Sequence, residues 1–95
     1  MTPEGRVKEK VKVALKAHGA YYHMPVQNGL GAPSLDFVGC HRGLYFGIET
    51  KAADKQPTPR QRVTMDAIEK SRGKTFLINE ATGVDCLLDW LTRKE

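Results

Sequence analysis

The sequence predicts a mixed α/β fold, a β-sheet flanked by helices with the element order αβββαβα. Three observations carry that expectation. Thr2-Pro3-Glu4 and Thr58-Pro59-Arg60-Gln61 open two segments with the same helix-start chemistry. Apolar runs of strand length, 35–40 and 44–51, lie between them. After the second helix, Lys74-Thr75-Phe76-Leu77-Ile78 reads as a strand, and an apolar-striped helix follows.

In order along the chain, Thr2 is the expected N-cap of the first helix, with Pro3 at its first position. Val7, Val11, Ala14 and Leu15 form its apolar stripe, and Gly19 ends it. Residues 20–26 are tyrosine-rich and bounded by Pro25, which suits a short strand. Gln27-Asn28-Gly29-Leu30-Gly31-Ala32-Pro33 is a loop by its turn chemistry. The two strands that follow are joined by Cys40-His41-Arg42-Gly43, a hairpin turn in which glycine supplies a positive φ. A polar connection over 51–57 leads to the second helix, expected from Thr58 to about Arg72. Thr82 or Asn79 is the expected cap of the last helix, whose stripe is Val84, Leu87, Leu88 and Leu91 with Trp90 beside it.

The 95 residues, 1–95, suit one domain. A chain of this size buries a limited fraction of its surface on folding, so self-association or a ligand would add stability. Fifteen basic against eleven acidic residues leave a net charge of +4, which suits a polyanionic partner. Cys40 and Cys86 lack CxxC spacing and read as reduced, partly buried thiols. No run approaches the length of a membrane helix and the basic N-terminus lacks a signal-peptide core, so a soluble intracellular protein is expected.

The chemistry concentrates between Asp36 and Lys51. Strand alternation in Gly47-Ile48-Glu49-Thr50-Lys51 puts Glu49 and Lys51 on one face and Ile48 and Thr50 on the other. An antiparallel hairpin returns Asp36 to the same place. Gathering two acids and an amine on adjacent strands costs several kcal/mol, order of magnitude, unless a cation balances the acids. A divalent metal is the simplest account.

Asp36, twelve intervening residues and then Glu49-Thr50-Lys51, placed after one helix and before a helix-strand pair, resembles the PD-(D/E)xK nuclease superfamily. Leu35 stands where a proline often precedes the aspartate. The loop Gly29-Leu30-Gly31-Ala32-Pro33-Ser34-Leu35-Asp36, the apolar strand entering Glu49-Thr50-Lys51-Ala52, and Pro57-Thr58-Pro59-Arg60-Gln61 narrow the likeness to the virus-type replication-repair nuclease domain (VRR-NUC) in its stand-alone phage form. The resemblance runs from Glu4 to about Ile78. It implies a restriction-endonuclease-like core in which Asp36, Glu49 and the Thr50 carbonyl hold Mg²⁺ or Mn²⁺, hard ions suited to oxygen ligands. It gives Lys51 the positioning of the attacking water or the relief of phosphate charge. Gln61 matches the glutamine that distinguishes the family, and Glu4 matches an acid of the first helix that reaches metal through water or holds a second ion. A homodimer cutting branched DNA such as four-way (Holliday) junctions is the implied activity, in a host cytoplasm if the chain is phage-encoded.

Plainer readings stand beside these. Glu49 and Lys51 alone would be a solvated strand face. Gln61 fits a capping box that bonds back to the Thr58 amide, yet Gln61, Met65 and Ile68 share a helical stripe that would turn the glutamine toward the sheet, and both readings stay open. Glu4 suits a first helical turn regardless of function. Lys8, Lys10, Lys12 and Lys16 form the wet face of a helix, whereas Lys55, Arg60 and Arg62 flank the site and suit phosphate contact, with Gln27 and Asn28 able to touch DNA backbone. Tyr21, Tyr22 and Tyr45 read as sheet and core residues. His18, His23 and His41 lack mutual ligand spacing. Besides the junction-cutting nuclease, three alternatives remain at this point: a flap or duplex-end nuclease of the same superfamily, a DNA-binding module that does not cut, and a small structural or interaction protein.

Overall fold

In the computed structural model, residues 1–26 and 34–93 are described. They form α1 (Pro3–Ala17), β1 (Tyr21–His23), β2 (Phe37–His41), β3 (Leu44–Thr50), α2 (Pro59–Lys70), β4 (Lys74–Ile78) and α3 (Asp85–Thr92). That is the expected order. The loop of 27–33, with Gln27 and Asn28, lies outside the described residues.

Both helix starts form as their chemistry dictates. Thr2 Oγ1 accepts from the Gly5 amide at 3.0 Å with Pro3 inside the first turn, and Thr58 caps α2 in a capping box with Gln61. The hairpin between β2 and β3 is tighter than expected. His41 pairs with Leu44, leaving Arg42 and Gly43 as a two-residue turn in which both have positive φ, 52° and 79°. Asn79 and Thr82 do not cap α3, as was expected of one of them. Asn79 Oδ1 accepts from the amides of Ala81 and Thr82, which spends both side chains on a turn, and α3 begins at Asp85 after Val84 with no side-chain cap. Its C-terminus is secured from a distance. Arg42 donates to the carbonyls of Leu91 and Trp90 at 2.8 Å each, His41 Nε2 donates to Leu91 at 2.9 Å, and the Arg42 guanidinium lies over the Trp90 ring.

The sheet order is β1-β2-β3-β4, with β1-β2 and β2-β3 antiparallel and β3-β4 parallel. The return to a parallel strand follows from the α2 crossover. Phe46 and Ile48 of β3 point into a core that also holds Val7, Val11 and Leu15 of α1, Phe76 and Ile78 of β4, and Leu87, Trp90 and Leu91 of α3. The alternate residue Gly47 faces α2. A Cβ there would sit 2.7 Å from Leu35 and 3.0 Å from Ile68, so the glycine makes room for α2 and for fully buried Leu35. Helices α1 and α3 thus cover one face and α2 the other.

Two surface expectations are corrected. Cys40 and Cys86 are free but exposed, not partly buried. Tyr21 and Tyr45 are 70% and 48% exposed, and only Tyr22, whose ring lies 5.7 Å from that of Phe37, joins the core. Tyr21, Cys40 and Tyr45 are cross-strand neighbours on a part of the sheet face that α2 leaves partly open, and Cys86 lies on the exposed side of α3.

Candidate active site

The site lies at the end of β3 where the sheet meets both helical layers. Pairing of Phe37 with Ile48 brings Asp36, in the bend just before β2, beside Glu49 one step further along. Parallel pairing of Thr50 with Ile78, and the Lys51 amide donating to the Ile78 carbonyl, hold the far side of the same strand. The hairpin therefore gathers two acids that have twelve residues between them, as its antiparallel register requires.

The two carboxylates are held differently. One oxygen of Asp36, Oδ2, accepts from the Thr50 amide at 2.9 Å and from the Thr50 hydroxyl at 2.7 Å. The other, Oδ1, has the Lys8 ammonium at 3.9 Å. Glu49 is 2% exposed. Its Oε2 accepts from Gln61 Nε2 at 2.7 Å and faces Lys51 Nζ at 3.5 Å, while its Oε1 is buried with no hydrogen-bond partner. Burial first, and the neighbouring charge of Asp36 second, push the Glu49 carboxyl from 4.5 up to about 7, against the opposing pull of Lys51.

An orphaned buried carboxylate oxygen costs about 1 to 3 kcal/mol and calls for a partner. This is the observation against which a hard cation is tested, and the residues fit one. Glu49 presents a bare oxygen, Asp36 presents one not used by Thr50, and both are hard donors of the kind Mg²⁺ and Mn²⁺ accept. Among the described residues no three His, Cys, Asp or Glu side chains gather, so any such ion would take the rest of its shell from backbone oxygen and water.

Gln61 satisfies both readings of it at once. Its Oε1 accepts from the Thr58 amide at 2.8 Å, completing the capping box, and its Nε2 reaches Glu49. A primary amide has an acceptor end and a donor end, so the cap and the site use different atoms. Glu4 stands apart from the two acids and lies 3.5 Å from Lys8, which links it to Asp36. Lys55, Arg60 and Arg62 are exposed on the connection to α2 and on its first turn.

Two side-chain contacts at the site are not among those the sequence predicts, where Thr50 enters only by its backbone carbonyl and Lys8 not at all. The Thr50 side chain turns toward Asp36, although alternation assigned it to the opposite face from Glu49; Asp36 reaches it from its bend outside the regular strand. Lys8 belonged to the wet face of α1, yet it follows Glu4 by four residues and adjoins Val7, which is the signal that would have found it.

No protein-family model matches the sequence, and no curated protein matches it. A solved structure described as a VRR_NUC domain is similar to this chain, with a TM-score of 0.77 and 24% identity over 94% of this chain and 97% of that one. The chain therefore has the VRR-NUC fold, a mixed sheet flanked by helices.

Proposed function

We propose that this protein is a metal-dependent DNA endonuclease that hydrolyses phosphodiester bonds. The observation that carries the reading is the buried, unpartnered Oε1 of Glu49 beside Asp36, with Lys51 at hand, on a fold shared with a VRR_NUC domain. Asp36, Glu49 and the Thr50 carbonyl would hold Mg²⁺ or Mn²⁺. Such an ion, when bound, contributes Lewis acidity toward the phosphate and acidifies water.

The chain's own residues divide the remaining work. Thr50 fixes Asp36 through two donors to one oxygen, which leaves the other turned away from it. Gln61 holds Glu49 by Oε2 and so orients the bare Oε1. Lys51 sits 3.5 Å from Glu49, where its ammonium would orient the attacking water or neutralise charge building on the phosphate. Lys55, Arg60 and Arg62, at the start of α2, would contact phosphates on either side.

The finer parts of the proposal are selectivity for branched DNA such as Holliday junctions, and action as a homodimer whose two sites cut opposed strands. Both rest on the likeness of fold and motif. The small surface also favours backbone and shape recognition over a long sequence code. The test is a panel of end-labelled four-way junction, flap and linear duplex incubated with Mg²⁺, Mn²⁺ or chelator. The expected result is junction cleavage with either metal and none with chelator. Cleavage of flaps or duplex ends instead would shift the substrate, and binding without cutting under every metal would make the protein a DNA-binding module.

A further inference from the structure

Resting on the metal-site reading above, we propose that Lys8 is an internal counter-ion of the site, which a metal must displace from Asp36 before it binds. Asp36 Oδ2 is committed to Thr50 by two hydrogen bonds, so Oδ1 is the oxygen left to meet a cation. That oxygen has the Lys8 ammonium at 3.9 Å. Lys51, the other ammonium of the site, lies on Glu49 Oε2 and leaves Oε1 clear. One carboxylate therefore presents an unpartnered oxygen, and the other presents an oxygen already facing a positive charge.

An ammonium and a divalent ion sharing that partly exposed oxygen would repel each other. The structure holds an alternative place for the ammonium. Glu4 Oε2 is 3.5 Å from Lys8 Nζ, one helical turn before it and in the Glu-to-Lys order that favours such a pair. Lys8 need only release Asp36 and remain on Glu4. This makes Glu4 the holder of Lys8, a role that needs no contact between Glu4 and metal. Lys12 offers a built-in comparison: it lies on the same helix, is as exposed as Lys8, and pairs with Glu9 at 3.2 Å.

The test is Mn²⁺ binding to the intact protein without DNA, followed by the loss of the free-ion electron paramagnetic resonance signal. Lys8→Met is expected to bind Mn²⁺ about tenfold more tightly than the parent. Lys8→Arg, which keeps the charge, and Lys12→Met, which removes an equal charge elsewhere on α1, are expected to match the parent. Lys8→Gln serves as a second neutral variant should the methionine perturb folding. Equal affinity in the parent and the neutral Lys8 variants, or the same gain from Lys12→Met, would overturn the counter-ion role while the metal site stands. Undiminished binding in Asp36→Asn would overturn the metal site and the counter-ion role with it.

Discussion

Glu49 is the residue on which the proposed chemistry and the stability of this protein meet. It is buried, shares its surroundings with Asp36, and is offset by one ammonium at 3.5 Å. Its carboxyl is pushed up to about 7 from an ordinary 4.5. The folded chain thus keeps a proton that the unfolded chain gives up. The stabilising contribution of this group is full below about pH 4.5 and is lost as pH rises through about 7. Glu49→Gln is neutral throughout, so in chelator it should gain on the order of 3 kcal/mol over the parent between pH 4.5 and pH 8, read from urea unfolding. Parallel pH profiles for the two proteins would contradict this. Asp36, Glu49 and Lys51 were legible from alternation and spacing, because a hairpin is a local device. Lys8 was not, since its meeting with Asp36 depends on how α1 lies across the sheet.

At the scale of elements, the start of α2 does two things through one side chain. Thr58 Oγ1 accepts from the Gln61 amide at 3.2 Å, and the Gln61 side chain returns a bond to Thr58 while reaching Glu49. The two roles are separable by substitution. Thr58→Ala removes the cap hydroxyl and leaves Gln61 facing Glu49, so it should cost about 1 kcal/mol of stability and leave metal-dependent cleavage near the parent level. Gln61→Ala should cost a similar amount and also lower cleavage, as measured by thermal melts and junction assays on the same preparations. Equal loss of cleavage in both variants would show that only the helix start matters. Helix starts of this kind are readable because cap and amide lie three residues apart. The end of α3 is not, because Arg42 and His41 reach it from a hairpin about fifty positions earlier. The expected caps Asn79 and Thr82 failed for a local reason: two short polar side chains so close to each other satisfied a turn first.

The whole molecule sets its catalytic candidates at a junction of layers. Thr50 and Lys8 reach Asp36 from the α1 side of the sheet, and Gln61 reaches Glu49 from the α2 side. Element order and the mixed sheet followed from period and turn chemistry, while surface exposure did not. Tyr21, Cys40 and Tyr45 are cross-strand neighbours on a face that α2 alone covers, and no local pattern records how far a helix extends over a sheet; Cys86 is on the exposed side of α3. The proposed homodimer belongs to this scale. Light scattering across micromolar concentrations should return twice the 10.6 kDa chain mass, and a constant monomer mass would remove the dimer while leaving the site intact.

The most direct test of the central claim compares the parent with Lys51→Ala on an end-labelled four-way junction in Mn²⁺, with chelator as control. Lys51 lies within 3.5 Å of Glu49 yet is not among the proposed metal ligands, so its loss tests the chemistry and leaves the ligand set in place. The parent should cut only with metal, and Lys51→Ala should cut about a hundredfold or more slowly while keeping its fold by circular dichroism. Cleavage by Lys51→Ala at the parent rate, or cleavage that survives the chelator, would contradict the account.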